Sequence, residues 1–411
     1  MKRIEQLALC MLLLGIAFIA MGPACPMSTD EEKNYYASNT TSGSSGNTTI
    51  SPTLFSMVGG GQWYTVAIAT DGTLWLSGNS ARATTGGGAL YGLTQVGPDS
   101  DWQAIACGRW FVLALKTDGT LWAWGWNQNG QLGVGDTLHR YAPAQVGTDT
   151  DWVEIVAGMA HSLARKSDGT LWAWGWNNNG QLGLGDNTDV WTPTQVGTDS
   201  TWTAIAGGFY HTLAISTTGS THQLWACGNN TDAELGLGYT STSATTFTRV
   251  GTGTNWSKIA SGNCAMHNLA IKDDGTLWGW GYNSDYDLGL GHNTSPITET
   301  TQIGTDTDWA EAGVGCLYGL ALKTNGTVWA WGPNESGQCG QGDFVTPVTT
   351  PKQVGFSTNW ASIGDGYDTS YAILSDGTAW GWGYGATWEL ATGDYRINYN
   401  ATTPCLLRVS E

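Results

Sequence analysis

The segment Asp-Gly-Thr-Leu-Trp, whole or in variant form, recurs seven times along the chain, and its Trp falls at Trp75, Trp122, Trp172, Trp225, Trp278, Trp329 and Trp380. The gaps between successive copies are 47, 50, 53, 53, 51 and 51 residues. A period this regular means one supersecondary unit stacked on copies of itself, since no single copy can bury its apolar face alone.

The rest of the unit lines up around that Trp. An aromatic precedes it at Phe55, Trp102, Trp152, Trp202, Trp256, Trp309 and Trp360, and two residues after it stand Ser77, Trp124, Trp174, Cys227, Trp280, Trp331 and Trp382. These three positions hold eighteen of the 24 Trp, enough large rings to build an extended core. Repeat three, from Asp151 to Thr198, has strand character over Trp152–Ala157, His161–Lys166, Leu171–Gly175 and Pro193–Val196. Asp168-Gly169 between the second and third stretches signals a tight hairpin. Four strands per repeat, seven repeats and no helical periodicity predict an all-β fold, a seven-bladed β-propeller.

The segments AGxxHSLA, DGTLWAWGxNxxGQLGxGD and PxxV resemble the repeat of the regulator of chromosome condensation family, and the likeness runs from Phe55 to Val409. The copies differ in fidelity: repeat one has Ala81–Tyr91 in place of the GQLG loop, repeat four has Ser220–Gln223 at the hairpin, and repeat seven has Glu389–Gly393. The resemblance implies the propeller fold and, for propellers of this repeat type, frequent protein binding. The family's nucleotide exchange on the small GTPase Ran is associated with a protruding insertion, for which repeats of 47–53 residues leave little room. Exchange activity is therefore not expected, and membership supports the fold alone.

Residues 1–25 read as a signal segment, 26–53 as a Ser/Thr/Asn-rich flexible linker and 54–411 as the propeller. The apolar run from Leu7 to Met21 is short for a span and suits a secretory segment. Cys25 after a small residue suggests lipid acylation, which would make the chain an exported, bacterial-type member of the family, tethered only through that anchor. Free secretion after ordinary cleavage is the alternative. Among the later cysteines, Cys107 and Cys227 stand where other repeats have Ala and Trp and read as small buried hydrophobes, whereas Cys264 and Cys316 fall in equivalent loops of neighbouring repeats and could form a disulfide.

The net charge of −18, from 16 Lys and Arg against 34 acids, gives no footprint for nucleic acid. No nucleophile elbow, zinc-protease motif or P-loop occurs, so no catalytic residue and no cofactor is assigned. His161, His211 and His267 share one repeat position that elsewhere holds Tyr, Phe or Thr, which favours packing over a metal site. Paired acids such as Asp149 and Asp151 read as solvated turn residues.

In such a unit the loop after the first strand and the loop after the third emerge on one face. That face is expected to carry the aromatics the repeat does not demand: Trp63, Trp110, Trp191 and Trp388, joined by Phe209 and Tyr210. Trp126 and Trp176 either join them or pack beneath their own loops. The opposite face receives the acidic hairpins of Asp71, Asp118 and Asp168. Exposed aromatics on a rigid scaffold are binding material. The expected function is an exported, non-catalytic module presenting those six residues to a protein; a glycan-binding propeller is the alternative, because Trp rings also stack on sugars. The last fourth strand, Pro404–Val409, is expected to close the ring by pairing with the first strand near Leu54–Val58, the long third-to-fourth connection being the crossover between blades.

Overall fold

The computed structural model describes residues 53–78, 90–387, 390–391 and 400–410; Cys25 and Trp388 lie outside the described residues. Seven antiparallel four-stranded sheets form, each taking its strands in chain order, as a seven-bladed propeller requires. In blade three the strands are Trp152–Ala157, His161–Lys166, Leu171–Gly175 and Val190–Gln195. The first three coincide with the sequence expectation. The fourth starts earlier, because Gly175 pairs with Val190 across an irregularity at Trp174.

The repeated pentapeptide folds itself into the hairpin. Asp168 Oδ1 accepts the Thr170 N–H at 2.9 Å and the Thr170 hydroxyl at 2.7 Å, and Thr170 Oγ1 accepts the Trp172 indole N–H at 2.9 Å. The same relay runs in blades one, two, five, six and seven, with Asn325 replacing Asp in blade six. Blade four has Gln223 in the Thr position, and the Trp225 indole N–H has no partner among the described residues. Gly169 has φ +84°, and a Cβ there would stand 2.1 Å from the Ser200 carbonyl oxygen of the next linker, so the turn needs glycine for both reasons.

The core lies between blades. Phe111, Leu113 and Leu121 of blade two pack with Trp152, Ile155 and Trp174 of blade three, and comparable clusters fill the other six boundaries. The second strand is therefore buried on both sides, as in blade three, where five of its six residues are buried. In blades two to six the long loop after the third strand leans on the following blade before returning to its own sheet. The Gln131 carbonyl in blade two accepts Ser162 Oγ at 2.7 Å and the Trp174 indole N–H at 2.9 Å, both from blade three. In blade four Cys227 replaces that Trp; its thiol takes the same kind of acceptor, the Gln181 carbonyl, at 3.6 Å, and the Phe247 ring lies 5.2 Å from that of Trp202.

Ring closure differs from the expectation. The last fourth strand, Ala401–Leu406, stays paired with the third strand of its own blade, and the third-to-fourth loop is a brace, not the crossover. The residues beyond it make the join: the Leu93 N–H donates to the Arg408 carbonyl at 2.9 Å and the Ser410 N–H to the Leu93 carbonyl at 2.8 Å. The first strand bonds blade seven at its start, where the Phe55 N–H donates to the Gly377 carbonyl at 2.7 Å, and packs on it farther along through Val58. The tail thus adds to the open outer edge of blade one at Leu93, and closure falls to it and to the buried cluster of Phe55, Leu93, Tyr371 and Leu407.

Candidate functional site

The loops after the seven first strands converge around the axis. A chain of backbone bonds links them in part: Gln62 N–H to Arg109 O at 2.9 Å, Met159 N–H to Gly208 O at 3.3 Å, Phe209 N–H to Ala265 O at 3.0 Å and Cys316 N–H to Tyr367 O at 2.9 Å. Asn263 projects from blade five and donates across the axis to the Cys107 carbonyl of blade two at 2.9 Å and the Gly60 carbonyl of blade one at 3.4 Å. The central opening is bridged on this face.

The aromatic side chains form two interlocked groups. Arg109 lies over the Trp110 ring at 4.4 Å and donates from Nε to Gln62 Oε1 at 2.8 Å, while the Trp110 indole N–H reaches the same oxygen at 2.9 Å. Trp110 meets Trp126 edge-on at 5.7 Å, and Trp126 stacks on His139 at 4.3 Å. Beside them Trp63, Tyr367, Asp368 and Tyr384 line a narrow cleft. The second group is Phe209 against Tyr210 at 4.0 Å and Tyr210 against Trp176 at 4.9 Å. Trp63, Trp110, Phe209 and Tyr210 are half-buried, so they offer ring edges and partial faces instead of standing free. Trp126 and Trp176 are half-buried in the same way: Trp126 joins Trp110 and packs on His139 of its own loop, and Trp176 joins Tyr210 of the next blade.

Trp191 is elsewhere. It sits on the outer fourth strand of blade three, where the side chain packs over Gly130 of the blade-two loop. Its counterparts in blades one and two are Tyr91 and Tyr141, and the three form an outer-rim row with exposures of 45%, 52% and 49% for Tyr91, Tyr141 and Trp191. Missing that the fourth strand begins at Val190 hid this row from the sequence, although Tyr91, Tyr141 and Trp191 each stand four residues before the Gln of a Gln-Val pair, Gln95, Gln145 and Gln195.

His161, His211 and His267 are interior residues. Gly158 has no room for a Cβ, which would lie 2.1 Å from the His161 ring, and this contact is what the Gly-x-x-His spacing encodes. His161 Nε2 bonds Thr212 Oγ1 at 3.1 Å and His211 Nε2 bonds Asn268 Oδ1 at 2.6 Å, each in the next blade. Burial pushes their imidazoles down to about 3 and about 4, so both are neutral. Cys264 and Cys316 meet across a blade boundary, with Cys316 Sγ 3.8 Å from the Cys264 carbonyl oxygen. Cys227 is buried as expected, whereas Cys107 is half-buried. On the opposite face Asp149 and Asp151 are not merely solvated: they hold Lys166 Nζ at 2.6 and 3.1 Å. Among the described residues no group of His, Cys, Asp and Glu could hold a metal, and no helix is long and apolar enough to cross a membrane.

Seven four-stranded blades, five of them braced on the next by glycine-rich loops, with a ringed loop face, define a β-propeller of the Gly-x-x-His and Asp-Gly-Thr-Leu-Trp repeat type. The RCC1-like domain description matches residues 27–317 and the regulator of chromosome condensation (RCC1) repeat matches residues 325–373. The chain belongs to the RCC1-like family. It is 30% identical over 189 residues to the ultraviolet-B receptor UVR8 of Arabidopsis thaliana, covering 45% of this chain and 41% of the receptor. It is 36% identical over 104 residues to the protein RCC2 homolog of Xenopus laevis, covering 25% and 20%. The matched stretches thus span less than half of these relatives. The structure of yeast RCC1 (Prp20) bound to Kap60 is similar at a TM-score of 0.71 with 19% identity, over 90% of each chain, a likeness of fold.

Proposed function

We propose that this propeller is an exported, non-catalytic binding module whose loop face engages a protein partner. The observation that carries the reading is the group of Trp63, Trp110, Arg109 and Tyr367 beside the axis, set on backbone-linked loops. Trp, Tyr and Arg held rigidly on a scaffold lose little conformational freedom on contact, which is why they dominate the energetics of protein interfaces. Phe209 and Tyr210 extend that surface around the ring. Yeast RCC1, a similar fold, is recorded in complex with Kap60, which is consistent with a propeller of this type serving as a docking platform. Export rests on the apolar run from Leu7 to Met21 and on Cys25.

Cross-linking of the wild-type protein to its partner at the envelope, followed by affinity measurement, tests the reading. Phe209→Ala, Tyr210→Ala and Trp63→Ala should each weaken binding by about 1–4 kcal/mol. Asp118→Asn on the opposite face should leave it within a few-fold, and melting curves separate lost contact from lost fold. Binding abolished by Asp118→Asn and untouched by the aromatic substitutions would reverse the faces. Retention on a glycan array, with no protein captured, would replace the protein partner by a sugar.

A further inference from the structure

The second strands of blades two, three and six end in Lys116, Lys166 and Lys323, and each ammonium is treated alike. Its Nζ lies between two indole rings, at 4.8 and 5.0 Å in blade two, 4.7 and 4.8 Å in blade three and 4.7 and 4.9 Å in blade six. Two aspartates from the turn entering the first strand then neutralise it. Asp99 and Asp101 stand 2.7 and 3.1 Å from Lys116, Asp149 and Asp151 2.6 and 3.1 Å from Lys166, and Asp306 and Asp308 2.5 and 2.9 Å from Lys323.

Where the lysine is lost, the acid pair is broken or gone, blade four keeping only Asp199. Blade four has Ser216 opposite Trp202, with Thr201 in the second acid position and a hydroxyl–hydroxyl bond of 2.6 Å between them. Blade seven has Leu374 opposite Trp360, with Ser357 and Asn359 in the turn. Blade five alone breaks the pairing. Lys272 is kept, opposite Trp256, with Nζ 4.8 Å from the Trp256 ring and 3.5 Å from the Trp278 ring. The turn reads Gly-Thr-Gly-Thr-Asn-Trp, so Gly253 and Asn255 stand where the two aspartates would be. Among the described residues Lys272 has no ion pair, although Asp273 and Asp274 follow it directly; Asp274 has counterparts in the other blades, and Asp273 stands where they have Thr or Ser. Burial lowers its ammonium pKa, whereas the acid pairs raise those of Lys116, Lys166 and Lys323.

The missing side chains leave space. A depression of about 410 Å³ opens there, lined by Thr252, Gly253, Trp256 and Lys272 on one side and by Leu237 and Glu299 on the other. We propose that this depression is a binding site for a carboxylate, supplied in trans by an acidic peptide segment that takes the place of the missing Asp-x-Asp turn. Glu299 selects among anions. Its exposed carboxylate faces the same space, so the occupant must offer an anion to Lys272 and a donor to Glu299. A peptide does both, with an Asp side chain and the neighbouring backbone N–H; a bare inorganic anion supplies only the first. The site lies at the boundary between blades four and five, shares no residue with the aromatic group, and does not depend on what that group binds.

The test uses the full propeller chain and the peptide acetyl-Gly-Thr-Asp-Thr-Asp-Gly-amide, titrated calorimetrically, with acetylation of Lys272 by a soluble ester read by mass spectrometry. The expected result is one-site binding that protects Lys272 from acetylation at least ten-fold and is absent for the Asn-for-Asp peptide. Lys272→Met, which keeps the apolar stem between the indoles, should lose the binding, and Asn255→Asp, which supplies one carboxylate in cis, should compete with it and weaken it at least ten-fold. Protection by sodium acetate at equal concentration would keep the carboxylate site but assign it to a small acid. Peptide binding that survives Lys272→Met, or no protection of Lys272 by peptide or acetate at millimolar concentration, would overturn the proposal.

Discussion

Glu234→Gln should remove a pH-dependent weakness from the ring. Glu234 occupies in blade four the place held by Gln131, Gln181 and Gln338 in blades two, three and six. Its residue is 1% exposed, and burial pushes the carboxyl from 4.5 up to about 7. The side chain accepts the Asp232 N–H at 2.8 Å and Asn229 Nδ2 at 2.5 Å, as Gln131 accepts the Asn129 N–H at 3.0 Å. A glutamine therefore fits, with the Asn229 amide turned to accept from it. Because the folded pKa exceeds the unfolded one, the native state holds the proton more tightly. Stability is complete below pH 4.5, falls as the pH rises through the interval to about 7, and stays lower above it. That interval corresponds to about 3 kcal/mol, an upper figure for a group able to relax toward water. The neutral histidines act in the opposite sense, since their depressed values weaken the fold as pH falls below 6.5. They are common to both proteins, so the difference between variant and wild type isolates Glu234. Urea unfolding across pH 4 to 8, bounds set about the pKa interval, should show the variant gaining about 2–3 kcal/mol on the wild type over that range. Parallel stability curves would refute the assignment of a protonated carboxyl at this position.

Removing residues 407–411 should lower stability by about 3–5 kcal/mol, since it exposes the Leu407 contact and cuts the two bonds to Leu93; an unchanged melting temperature would deny the tail its role in closure. If Cys25 carries the anchor, Cys25→Ser should release the protein from the membrane fraction with its melting curve intact, and a wild-type protein recovered wholly soluble outside the cell would point to plain secretion.

What the sequence determined by itself was everything local to one repeat. The Asp-Gly-Thr-Leu-Trp hairpin closes through contacts within five residues, and the Gly-x-x-His spacing encodes a contact only three residues long, so each copy announces the same strands. Seven announcements gave seven blades. Candidate residues beside the axis were legible for the same reason: Trp63, Trp110, Phe209 and Tyr210 all sit in the loop after a first strand, whose place the hairpin fixes. Whether those rings stand free was not legible, because burial depends on partners such as Gln62 for Trp110 and Trp176 for Tyr210, each from the adjoining blade. Trp191 moved to the rim because its strand boundary is set by pairing with Gly175, not by its own residues. Closure, the clasp of Asp149 and Asp151 on Lys166 and the unmatched Lys272 likewise needed the tertiary structure. Each is a contact between segments apart in sequence, and only packing decides which of them meet.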